Sequence, residues 1–97
     1  MTRVLLIYDL AADYLERRGP YREPHIAHVW DAMERRALIL GGVVGDPVDS
    51  ALLLFDDEAA ARGFAEEDCY VTSGLVRAWR IVPWITIPGR EGTSPID

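Results

Sequence analysis

The 97-residue chain contains no lysine, and all ten of its basic residues are arginines. Schiff-base catalysis through a lysine is therefore excluded. There is one cysteine, Cys69, so no intrachain disulfide can form. That usage points to a reducing, cytoplasmic setting. Positive charge is scarce as a whole: ten arginines face sixteen carboxylates, for a formal net charge of −6. A nucleic-acid binder needs a cationic face to displace counterions from phosphate, so that class is disfavoured, as is an anionic membrane surface. Long apolar runs are missing too. Nothing approaches the ~20 residues of a membrane span. The apolar run at residues 4–8 is expected to be too short for a signal peptide.

What is present suits one small globular domain. The chain is 49% hydrophobic and 27% charged, enough apolar surface to offset chain entropy. A domain of this size buries roughly 65% of the surface its unfolded chain exposes. Oligomerisation is then a natural source of further burial. The folded domain is expected over residues 1–87. Residues 88–97 hold Gly, Pro, Ser and charge and read as a tail that is disordered or packs on a neighbour.

Residues 4–8, Val-Leu-Leu-Ile-Tyr, read as a strand buried on both faces. Residues 9–19 are polar and mixed, a loop with a short turn of helix. From Pro24 the period changes: Ile26, Val29, Trp30, Met33 and Ala37 recur at helical spacing. Pro24 suits a first helical turn, which predicts a helix from there to about Arg36. Residues 38–40 read as a second strand, with Gly41 and Gly42 beginning its exit. Gly45-Asp46-Pro47 is a turn. Residues 51–55 form a third strand. Asp56 can cap a second helix over residues 57–67, with acidic residues where the helix dipole favours them. Residues 75–84 form the fourth strand, which Pro83 closes.

The order is β-α-β-β-α-β. Right-handed crossovers turn it into an α+β, ferredoxin-like fold: a four-stranded antiparallel sheet with two helices on one face. Two helices cover only one face, yet the first and third strands are apolar at consecutive positions. The uncovered side chains would form a large exposed patch. A second copy packed sheet to sheet, a homodimer, resolves this; the tail folding over the patch is the alternative.

This topology gathers polar residues at the end of the sheet where the first strand finishes. The first helix begins there with Arg22 and His25, and the second helix arrives there with Asp68. Asp9, Asp46 and Asp49 join the same rim. A histidine titrates near neutrality, and a carboxylate partner holds its tautomer and raises its basicity. His25 and Asp68 are therefore the candidate catalytic pair. Arg22 is placed to hold an anionic group, Tyr70 to donate a phenolic hydrogen bond, and Asp9 to complete the substrate rim.

Plainer readings compete with each of these. A histidine at a helix start is often a surface or capping residue, and Asp68 can simply begin a turn. His28, three residues after His25, suggests a metal pair, but no further ligands stand at matching faces, so no metal is expected. Cys69 is most simply a small buried residue. Trp30, Trp79 and Trp84 read as core or interface.

Several of these segments resemble the YCII-related (YciI-like) proteins. Arg22-Glu23-Pro24-His25 resembles the R-x-x-H motif that opens their first helix, and Gly41-Gly42 the glycine after their second strand. The run from Asp68-Cys69-Tyr70 to Gly74-Leu75 resembles their D-P-Y-x-x-x-G-(L/V) signature, and Ile81-Val82-Pro83-Trp84 their fourth-strand ending. The resemblance implies a dimeric α/β barrel in which His25 and Asp68 form the active-site pair. It also implies breakdown of aromatic compounds or lyase-like chemistry. The chain departs from the pattern in two places. Cys69 stands where the family carries proline, which is expected to loosen the turn that aims Asp68. No glycine stands near Arg36, so the first helix is expected to end differently.

Two main functions follow. One is a cofactor-independent enzyme that abstracts a proton from a small anionic or phenolic molecule, leading to isomerisation or elimination. The other is a non-catalytic binding or regulatory module using the same cleft. A purely structural dimer is the third.

Overall fold

A computed structural model of the chain describes residues 2–85. The expected tail at residues 88–97, and the end of the expected domain at residue 87, lie outside the described residues. The elements run β1 (Thr2–Leu10), α1 (Tyr14–Arg17), α2 (Gly19–Glu34), β2 (Leu38–Gly45), β3 (Val48–Phe55), α3 (Glu58–Glu67), α4 (Cys69–Thr72) and β4 (Val76–Ile85). The four strands form one antiparallel sheet in the order β2-β3-β1-β4. This is the ferredoxin-like α+β arrangement, with the two long helices on one face.

Strand alternation divides the apolar side chains between the two faces. On the helix side, Leu6, Tyr8 and Leu10 of β1 and Leu53 and Phe55 of β3 are buried. They pack with Ala61, Phe64 and Ala65 of α3 and with Leu75 and Val76. On the other side, Leu5, Leu40, Leu52, Leu54 and Trp84 line an open apolar groove of about 300 Å³. Leu40 is 66% exposed there and Trp84 44%.

Several boundaries differ from the sequence reading, each for a physical reason. The helix α2 starts at Gly19, and Pro20 occupies the first-turn position expected for Pro24. Pro24 lies inside the helix. Only part of the predicted apolar stripe meets the core: Val29 and Ala37 pack against it, whereas Ile26, Trp30 and Met33 are exposed and Ala32 is the one buried residue of α2. The strand β2 continues through Gly41 and Gly42 because its ladder with β3 continues, pairing Gly41 with Leu53 and Gly42 with Leu52. Cross-strand pairing outweighs the weak strand propensity of glycine. Asp57, rather than Asp56, caps α3, accepting the Ala60 N–H at 2.8 Å; Asp56 instead faces Arg3 at 3.7 Å. Pro83 is paired with Val4 inside β4 and does not end it, since an edge strand tolerates a residue without an N–H.

The end of α2 shows how the missing glycine is accommodated. Arg36 itself adopts φ +61°. The Ala37 N–H bonds to Ala32 O and the Arg36 N–H to Met33 O, both at 3.0 Å. These are the two bonds of a Schellman cap, so the helix ends as a glycine would end it, with backbone strain at an arginine.

Candidate functional site

The site is built around a buried carboxylate. Asp68 lies between α3 and α4 and is fully buried, the one buried charged residue among those described. Its backbone is extended, φ −73° and ψ 122°, which ends α3 and lets its side chain cap α4 by accepting the Tyr70 N–H at 3.0 Å. That capping bond fixes Oδ1. The same oxygen meets His25 Nδ1 at 2.8 Å, and Oδ2 accepts the Tyr8 hydroxyl at 2.8 Å. An ionised Asp68 that accepts from all three donors satisfies these contacts together. Nδ1 then carries the ring proton, and Nε2 is left with its lone pair.

Cys69 does not loosen the turn. It is the first residue of α4, where the N–H lacks an intrahelical partner in any case, so proline and cysteine suit the position alike. Its thiol also donates to Tyr21 O in α2 at 3.4 Å. Burial, and then the charge of Asp68, push that thiol above the ordinary cysteine range. A raised pKa and an engaged sulfur make Cys69 a poor nucleophile.

Aromatic rings hold the histidine plane. The His25 ring stacks on Tyr70 with centroids 3.7 Å apart and planes 5° from parallel. Tyr14 meets Tyr70 edge-on at 5.7 Å, and the Arg18 guanidinium lies 5.7 Å over Tyr14. Burial, then Tyr14, push the Tyr70 hydroxyl up to about 12, while Arg22 and Arg18 pull in the opposite direction. Burial, then Asp68, raise the Tyr8 hydroxyl far beyond the usual phenol range.

His25 opens onto a cleft of about 650 Å³ between α2 and the helix-side face of the sheet. The helix contributes Arg22, His25, Ile26, Val29 and Met33. The sheet contributes Tyr8, Leu10, Ala51 and Leu53, and Gly41 keeps the opposite wall free of a side chain. The chemical content is a histidine with a free nitrogen, held by a buried acid, over a mostly apolar pocket.

The structure brings together His25, Asp68, Arg22 and Tyr70 of the residues picked from sequence. It places Asp9 elsewhere: strand alternation puts it on the face opposite Tyr8, paired with Ser50 and Ala78. Asp46 and Asp49 do not line the cleft either. The second histidine, His28, is engaged between helices, with Nε2 2.9 Å from Phe64 O and its ring stacked on Phe64 at 4.2 Å. Among the described residues no three His, Cys, Asp or Glu side chains gather as metal ligands. Tyr8, Tyr14 and Arg18 were missed in the sequence. Tyr8 reads there as one more apolar strand residue; its parity with Leu6 and Leu10 was the available signal. No helix among the described residues is long and apolar enough to cross a membrane.

No protein-family model matches the chain, and no curated protein matches it. Among solved structures, it is similar to 5-chloro-2-hydroxyhydroquinone dehydrochlorinase (TftG) from Burkholderia phenoliruptrix AC1100, described in complex with 2,5-dihydroxybenzoquinone. The TM-score is 0.68 at 19% sequence identity, over 87% of this chain and 93% of that one. At that identity the likeness establishes a shared fold, the four-stranded α+β arrangement described above.

Proposed function

We propose that the chain is an enzyme that carries out general acid–base chemistry on a small phenolic or anionic molecule bound in the cleft. The observation that carries this reading is the 2.8 Å contact of His25 Nδ1 with fully buried Asp68, at the wall of a 650 Å³ cleft. His25 Nε2 takes a proton from a substrate hydroxyl or an activated C–H. Asp68 holds the tautomer and stabilises the imidazolium that forms. The electron pair released into the substrate then either picks up a proton at another position, which is isomerisation, or expels a leaving group, which is elimination. Both outcomes balance without an external oxidant or reductant, so the chemistry needs no cofactor. The solved structure with the same fold acts on a chlorinated hydroxyhydroquinone, which supports a phenolic ring as substrate. The resemblance of the His25 and Asp68 segments to YCII-related motifs supports the same pair.

The homodimer belongs to this reading. The open sheet face is a continuous apolar surface centred on Leu40, Leu52 and Trp84, and a second copy packed on it would complete a dimeric α/β barrel. The cytoplasmic setting expected from cysteine usage fits the same picture.

The test is chloride release from 5-chloro-2-hydroxyhydroquinone by the wild-type chain, His25→Ala and Asp68→Asn. Both variants are expected to lose about 10²–10⁴ in kcat. A His25→Ala chain that turns over at the wild-type rate overturns the proposal. A wild-type chain that binds the ring yet releases no chloride favours the regulatory module instead.

A further inference from the structure

We infer that the substrate of this cleft carries a carboxylate, and that Arg18 joins Arg22 in holding it, with the apolar ring of the substrate lying beyond His25. Arg18, the cap residue before α2, and Arg22, His25, Ile26, Val29 and Met33 within it all line the same cleft and follow one another at helical spacing. The wall is therefore graded: two cations at the helix start, the histidine next, and an apolar stretch beyond.

The two arginines are locally unfavourable. They stand one turn apart as like charges, which destabilises a helix. Arg22 also sits near the N-terminal end of α2, where the macrodipole favours anions, and the first turn holds no acidic residue; Arg18 lies at the junction of α1 and α2. Arg17, Arg35 and Arg62 each have a carboxylate one turn away. Among the described residues Arg18 and Arg22 have none. Both line the cleft that Tyr70 and His25 also line, and both charges favour the ionised form of the Tyr70 hydroxyl. A bound carboxylate would relieve all of these costs, and two guanidiniums supply more donors than its two oxygens require. This inference rests on the cleft being a ligand site, as proposed above, but not on turnover.

The experiment compares two probes that differ only by the carboxylate, 2,5-dihydroxybenzoate and hydroquinone, by calorimetric titration of the full chain. The wild type is expected to bind the acid at least about tenfold more tightly. Arg18→Gln and Arg22→Gln should each shrink that ratio, and the double variant should bring it close to one. His25→Ala should keep the ratio, because it removes the proposed base and neither guanidinium, so recognition of the carboxylate is separable from proton transfer. Equal affinity for the two probes, an unchanged ratio in the double variant, or binding of neither probe overturns the inference.

Discussion

Removing the Tyr8 hydroxyl isolates one bond of the buried network. Tyr8 is 1% exposed and Asp68 0%, so no bulk water can replace the 2.8 Å bond to Oδ2. Tyr8→Phe keeps the ring and its packing, and the apolar burial term is nearly unchanged. What is lost is a hydrogen bond to a charged acceptor, about 1.5–3 kcal/mol, and Oδ2 is left buried without a donor. Relief of the phenol's own desolvation returns part of this, for a net loss of about 2 kcal/mol. In a domain of this size each kcal/mol moves Tm by roughly 4–8 °C, so a drop of about 8–16 °C is expected. The assay is urea and thermal unfolding of both proteins at the same concentration, because any dimer makes stability concentration-dependent. A double-mutant cycle with Asp68→Asn should return a coupling of at least about 1 kcal/mol. A stability loss below about 0.5 kcal/mol, or no coupling in the cycle, would refute the idea that Tyr8 donates to an ionised Asp68.

Arg36→Gly should stabilise the chain by about 1 kcal/mol, since φ +61° costs an arginine and not a glycine; a destabilised variant in urea unfolding would show that the arginine side chain matters more than the cap. Alkaline pH should destabilise the protein. The Tyr70 hydroxyl is raised from 10 to about 12 in the folded state, so its contribution is fully present below pH 10 and is lost as pH rises towards 12. The tyrosine absorbance titration should accordingly lag behind that of the urea-unfolded chain, and Tyr70→Phe should flatten the fall in stability. Leu40→Asp and Leu52→Asp place charge on the open sheet face and should convert a dimer to monomer in sedimentation velocity. A wild-type chain that already sediments as a monomer would remove the dimer from the reading.

Element order was legible in the sequence because period and punctuation are local. The β-α-β-β-α-β order follows from the apolar runs, the helical spacing after Pro24 and the glycine turns, and right-handed crossovers leave little choice of topology. That order alone put His25 and Asp68 at one end of the sheet. Where the reading slipped, a partner distant in sequence decided the outcome. The ladder to β3 carried β2 through two glycines, and the edge position of β4 absorbed Pro83. Ile26, Val29 and Met33 share one face of α2, as their spacing predicts, but that face lines the cleft, with Val29 alone of the three also packing against the core.

Side-chain parity and depth also needed the tertiary structure. Asp9 and Tyr8 are neighbours in the chain, yet one lies on the open face and the other donates to Asp68 sixty residues away. No local rule announces a buried carboxylate with three donors, because each donor comes from a different element: β1, α2 and α4. By itself the sequence determined the fold class and the residue types available for proton transfer, since both depend on short-range pattern. Only the packing of α2 and α4 against β1 decided which of those residues meet, which nitrogen of His25 is free, and that the cysteine beside Asp68 leaves its aim intact.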